Sequence, residues 1–163
     1  MNVTGKAVRL TIEMERQYGL SPSITGAGLP GYVQVGQDTG NGTEKAVVSA
    51  DGIITSRLGQ VKLTYAAPGG IVSSLIYSKN DPGLVTMIKS VGNVSGKLLM
   101  VFERGVRHVC ANHVEGDCFE IITYASLLDN RLDSDGTFSI DYIVEIHGVR
   151  VERTSLKLSV KRL

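Results

Sequence analysis

Hydrophobic and polar positions alternate one by one near both ends of the chain. Val8, Leu10, Ile12 and Met14 alternate with Arg9, Thr11, Glu13 and Glu15, and Ile140, Tyr142, Val144 and Ile146 share an apolar face that Ser139, Asp141, Glu145 and His147 do not. Successive side chains of an extended strand point to opposite faces, whereas a helix brings together residues three and four apart. Each run therefore reads as a strand with one side buried and one side wet, and the chain as mainly β.

The stretch after the first strand is rich in glycine, with Gly19, Gly26, Gly28, Gly31, Gly36, Gly40 and Gly42 close together and Pro22 and Pro30 among them. Glycine permits positive φ and leaves nothing to pack, so residues 19–42 read as a long loop, with Tyr32, Val33 and Val35 as a short strand inside it. Loops of this length in compact domains tend to be functional or to order against a partner, which makes this one a candidate assembly surface.

Next come a strand near Lys45 to Ser49, a turn at Asp51-Gly52, and a strand from Gln60 to Tyr65 with Val61, Leu63 and Tyr65 on one face. In the run IVSSLIYS, Ile71, Val72, Leu75 and Ile76 recur at helical spacing before Asn80-Asp81-Pro82-Gly83 stops the run, which predicts one short helix over Ile71 to Tyr77. Leu84 to Val91 is apolar with no clear period. Lys97 to Arg104 suits a buried strand, and Arg107 to Cys110 with Cys118 to Tyr124 suit a hairpin turning at Glu115-Gly116-Asp117. A polar loop from Asn130 to Gly136 precedes the Ile140 strand, and Val149 to Arg153 leads into a last strand from Leu156 to Val160. The expected architecture is one domain spanning residues 1–163, a β-sandwich or partly closed barrel of about seven to nine strands with one short helix.

Charge changes this picture little. Lys plus Arg number 17 against 16 Asp plus Glu in 163 residues, a net charge of +1, far from the basic balance of a general nucleic-acid binder. Positive charge does gather at the end, in Arg150, Arg153, Lys157, Lys161 and Arg162, behind Asp129, Asp133, Asp135 and Asp141. Two readings follow: a solvated strand face beside a polar loop, or a basic edge that meets the acidic loop of another copy. The N-terminus shows no apolar signal region and no run is long enough to span a bilayer as a helix, so synthesis in a cytoplasm and no membrane partner are expected.

Candidate chemistry is sparse. GAGLPG, Gly26 to Gly31, has the letters of a dinucleotide fingerprint, but Pro30 and the glycines behind it oppose the helix that such a motif must open. His108, Cys110, His113 and Cys118 are a chemically reasonable zinc set, although H-x-C-x2-H-x4-C lacks the paired spacing of structural zinc knuckles. Alternatively, Cys110 and Cys118 face each other across the hairpin and form a disulfide in an oxidising setting, or both stay reduced. The three histidines stand in no recognisable nucleophile setting, and three Phe with no Trp leave few stacking platforms for single strands or sugars. The expectation is a protein without a catalytic site or cofactor.

The segment VVSADGIITSRLGQVKLTYAAPGG, followed by IVSSLIYS and NDPGLVTMI, resembles the central part of tail tube proteins of long-tailed bacteriophages. The matching features are an Asp51-Gly52 turn, a connection with Ser56 and Gly59, the Val61 to Tyr65 strand and a short helix over Ile71 to Tyr77. The resemblance covers about forty-five residues. It implies a virion structural protein whose subunits form stacked hexameric rings around a conduit for DNA, with sheets joined edge to edge. Its partners would be its own copies, other tail or virion proteins, and DNA that passes without sequence-specific binding. Gly26, Gly28, Gly31, Tyr32, Arg150, Arg153 and Lys157 are the candidate assembly contacts. The alternatives are a capsid decoration or head–tail connecting protein, and a small β-domain that binds a metal or ligand at the His108 to Cys118 hairpin.

Overall fold

The structure, a computed structural model, describes residues 5–18, 43–67, 70–91, 96–146 and 149–163. Ten strands run β1 (Lys6–Tyr18), β2 (Thr43–Arg57), β3 (Gln60–Ala67), β4 (Ile71–Ser78), β5 (Asp81–Val91), β6 (Lys97–Glu103), β7 (Arg107–Val114), β8 (Asp117–Arg131), β9 (Thr137–Ile146) and β10 (Val149–Arg162). All ladder pairs are antiparallel, in the order β6-β5-β4-β3-β2-β1-β10-β9-β8-β7. This is an up-and-down meander whose two end strands, β6 and β7, curl round to meet each other and nearly close a barrel.

The core fills the interior. Alternate residues of each strand point inward, among them Val8, Leu10 and Ile12 of β1, Leu63 of β3, Leu75 of β4, Met87 of β5 and Phe102 of β6, with Ile140 and Tyr142 of β9 opposite. The Phe102 and Tyr142 rings meet at a centroid distance of 4.7 Å and a tilt of 53°, a favoured aromatic geometry. The alternation near the two ends forecast this: Val8 to Met14 lies in β1 and Ile140 to Ile146 in β9, and the two strands flank β10.

Three sequence expectations change. Ile71 to Tyr77 is strand β4, not a helix: Ser73, Leu75 and Tyr77 point into the barrel, and Val72 stays 41% exposed outside. Over eight residues, apolar spacing fits both periods, and pairing with β3 and β5 decides for the strand. Asp51-Gly52 is no turn, since β2 runs straight through it and the chain reverses at Leu58-Gly59, with φ of 50° and 78°. Gly52 instead answers to packing, because a Cβ there would lie 2.7 Å from Leu10 Cδ1 and 2.8 Å from the Thr64 carbonyl oxygen. The strand count is ten rather than seven to nine, as both the Ile71 to Tyr77 run and the Leu84 to Val91 run are strands, β4 and β5.

The β7–β8 hairpin forms with longer arms and a tighter turn than expected, at Glu115 and Gly116, both at positive φ. At the seam, β6 and β7 bridge at Gly96 to Val114 and at Glu103 to Val106. Between these points side chains replace the ladder. Asn112 accepts from the Leu99 amide at 2.6 Å and donates to the Leu99 carbonyl at 3.0 Å, and the Thr123 hydroxyl donates to the Val101 carbonyl.

Candidate functional site: a polar ring at one mouth of the barrel

The inward stripes do not stay apolar along their whole length. Val8, Leu10, Ile12 and Met14 of β1 are followed on the same face by Arg16. Val85 and Met87 of β5 are followed by Lys89, and on β10 Leu158 and Leu156 give way to Thr154 and Glu152 in the opposite chain direction. Because neighbouring strands are antiparallel, these changes all occur at one end of the barrel. Strands β1, β3, β5 and β9 end here, and residues 19–42, 68–69, 92–95 and 147–148 lie outside the described residues.

Register sorts the polar residues into two rows. Tyr65, Ser73 and Lys89 stand side by side across β3, β4 and β5. Glu44, Arg16, Thr154 and Tyr142 stand side by side across β2, β1, β10 and β9. Between the rows opens a cavity of about 220 Å³, floored by Ile12, Met87 and Leu156 and bordered by Met14, Ala67 and Ile71. It is smaller than the roughly 300 Å³ at which drug-sized pockets begin, so it suits a small molecule.

Hydrogen bonds hold much of this ring in place. The Thr154 hydroxyl donates to Glu152 Oε1 at 2.6 Å, and Arg16 Nε lies 3.7 Å from the same oxygen. Glu152 and Thr154 are both buried, so this carboxylate is committed to the wall and costs little only because it is paired. Burial pushes the Tyr65 phenol well above its ordinary range, with the neighbouring Tyr142 adding to the rise and the Ser73 hydroxyl opposing it through a hydrogen bond. Tyr142 is raised likewise, first by burial and then by the Glu152 charge, while its hydrogen bond with Thr154 works the other way. Both phenols are therefore neutral donors at ordinary pH. Lys89 is held below its ordinary value by burial and by the Arg16 guanidinium, against the pull of Glu152.

No protein-family model matches the chain, and a comparison with curated proteins finds no match. Among solved structures the barrel is similar to the crystal structure of ywiB protein from Bacillus subtilis, with a TM-score of 0.58 over 96% of this chain and 93% of that one at 15% identity. A likeness at that identity shows the fold alone.

The residues singled out in the sequence lie elsewhere. Gly26, Gly28, Gly31 and Tyr32 fall outside the described residues, as does the side chain of Arg150. Arg153 is paired within its own chain, its Nη2 at 3.0 Å from Asp141 Oδ2 on β9, and Lys157 is exposed opposite Glu13. Part of the acidic loop is also locally engaged: Arg131 lies 3.1 Å from Asp129 and 3.8 Å from Asp135.

The zinc set does not converge. His108 and Cys110 do share the inner face of β7, but His108 Nε2 turns to Glu103 Oε2 at 3.2 Å and Cys110 is buried opposite Ile121. Cys118 stands on the outer face opposite His113, its Sγ 3.9 Å from His113 Nε2. The two cysteines thus point to opposite faces of the hairpin, and both are free thiols rather than a disulfide. Among the described residues no group of three or more His, Cys, Asp or Glu is placed to hold a metal.

The mouth was missed in the sequence because its members come from seven strands. The available signal was the polar residue that breaks an apolar stripe two positions on, as in Met87-Ile88-Lys89 and Thr154-Ser155-Leu156. One such break is a strand end; several at the same end of a nearly closed sheet make a candidate site.

Proposed function

We propose that this protein is a small-molecule-binding barrel that takes its ligand at the polar mouth. The observation that carries this reading is the cavity between the Tyr65-Ser73-Lys89 row and the Arg16-Thr154-Tyr142 row. An apolar floor with a few convergent polar groups is the usual make-up of a ligand pocket, and mouths of barrels are a usual place for one. The test is a screen of fragments of about ten non-hydrogen atoms by ligand-observed NMR, against the protein and against Ala67→Phe, whose ring would fill the space bordered by Ala67 and Ile71. Binding to the parent that disappears in a folded Ala67→Phe supports the reading; fragments that bind both equally, or neither, contradict it.

A virion role as a tail tube subunit is a second proposal. It is favoured by apolar side chains on the outer wall, where Val47 is 71% and Ile53 is 53% exposed on β2. Three supports for it have moved: the Asp51-Gly52 turn and the Ile71 to Tyr77 helix are both strand, and the end strands of the sheet face each other rather than open solvent. Rings or tubes of uniform width in negative-stain electron micrographs of concentrated protein would support it, and dispersed monomers would count against it.

A further inference from the structure

The charged groups of the mouth are unequally provided for. Glu152 is tied to Thr154 and to Arg16. Glu44 is exposed at the rim, beside Arg16 across β2 and β1. Lys89 differs from both. It lines the cavity on the row opposite Arg16, and its ammonium makes no hydrogen bond or ion pair among the described residues.

A partly buried ammonium with no direct ion pair is expensive, and Arg16 repels it more than Glu152, held by Thr154 and Arg16, attracts it. Such an arrangement is relieved by an anion that arrives with the ligand. The geometry also limits what the rest of the ligand is. Immediately below the polar row the walls are Ile12, Met87 and Leu156, which offer dispersion contacts and no hydrogen bonds. A cavity of about 150 Å³ holds benzene, so one of about 220 Å³ has room for benzene plus one compact polar group.

We infer that the mouth binds a small monocarboxylate, its carboxylate at Lys89 beside the neutral Tyr65 phenol and its apolar body on Met87 and Leu156. This rests on the ligand-binding reading above and narrows it to a chemical class. A single charge matches one unpaired ammonium. A phosphate dianion would bring a second charge toward the buried Glu152, which repels it.

The experiment compares benzoate with its neutral isostere benzamide, and adds inorganic phosphate, by isothermal titration against the parent protein, Lys89→Met and Lys89→Gln. Circular dichroism confirms that each variant is folded. Benzoate is expected to bind about tenfold or more tightly than benzamide, the usual worth of a hydrogen bond to a charged group, and phosphate not at all. In both variants the preference should vanish while benzamide binding stays. Equal binding of the two to the parent, or a preference that survives in both variants, would overturn the carboxylate inference and leave the binding barrel standing. Failure of both probes, together with an empty fragment screen, would overturn both.

Discussion

The Asn112 side chain stands in for a strand: its carboxamide accepts the Leu99 amide and donates to the Leu99 carbonyl, at 2.6 and 3.0 Å, where the β6–β7 ladder is interrupted. A carboxamide presents one acceptor and two donors, and the second donor here reaches the Cys110 carbonyl at 3.2 Å. A single residue therefore satisfies backbone groups on both sides of the seam. It also prevents β6 from being an open edge of the kind that recruits other chains.

Replacing Asn112 by Leu should be strongly destabilising, although Asn112 is 2% exposed and Leu is apolar. The half-buried Leu99 amide and carbonyl would lose their partners, at about 1 kcal/mol each, and the Cys110 carbonyl would lose a third bond. Urea unfolding of the parent and the variant measures this, and hydrogen exchange at Leu99 should speed up more than at Leu63, far from the seam. A variant within about 0.5 kcal/mol of the parent would mean that water replaces the carboxamide without loss.

Alkaline pH should unfold the barrel through its buried phenols. Tyr65 and Tyr142 have folded values above their ordinary 10.0, so the stability they contribute is whole below pH 10 and lost as pH rises beyond it. The loss is about 1.4 kcal/mol per pH unit for each phenol. Lys89 has the opposite sign: its folded value is depressed, so its penalty lifts as pH rises toward 10.5. Lys89→Met should accordingly stabilise the protein at pH 7, as expected where a residue is kept for binding rather than for folding. Thermal melts from pH 7 to 11 check both, and Tyr65→Phe with Tyr142→Phe should flatten the alkaline fall.

The two cysteines should report their faces. Cys118 is exposed and Cys110 is 5% exposed, so a thiol reagent should modify one equivalent per chain in the native protein and a second only on unfolding. Oxidation should leave the monomer without an internal crosslink. Mass spectrometry of the modified peptides decides it, and a native Cys110–Cys118 disulfide would mean that the hairpin register differs from His113 opposite Cys118.

The strands of this fold were legible wherever one face alone was apolar. β1 and β9 announced themselves because Val8 to Met14 and Ile140 to Ile146 alternate cleanly, and β6 because Gly96 and Gly105 bound a short apolar run. β4 was not legible: Val72 and Ile76 put apolar groups on the outer wall as well, and within eight residues this imitates a helical stripe. Gly52 misled for a related reason, since a glycine demanded by the approach of Leu10 looks in sequence like a glycine demanded by a turn. The mouth was the least legible part. Lys89 and Tyr142 stand 53 positions apart and come to one cavity only through the closure of the sheet, which no local pattern carries.

Methionine methyl groups give the most direct measurement. Met14 and Met87 line the mouth, whereas Met100, buried on β6 beside Met87 across the β5–β6 ladder, does not line it. With methyl-13C methionine, addition of benzoate or benzamide should shift the Met87 and Met14 signals in a saturable way and the Met100 signal less than either. Saturable shifts centred on Met100, or no methionine shift while either fragment binds, would place the ligand outside the mouth and contradict the account.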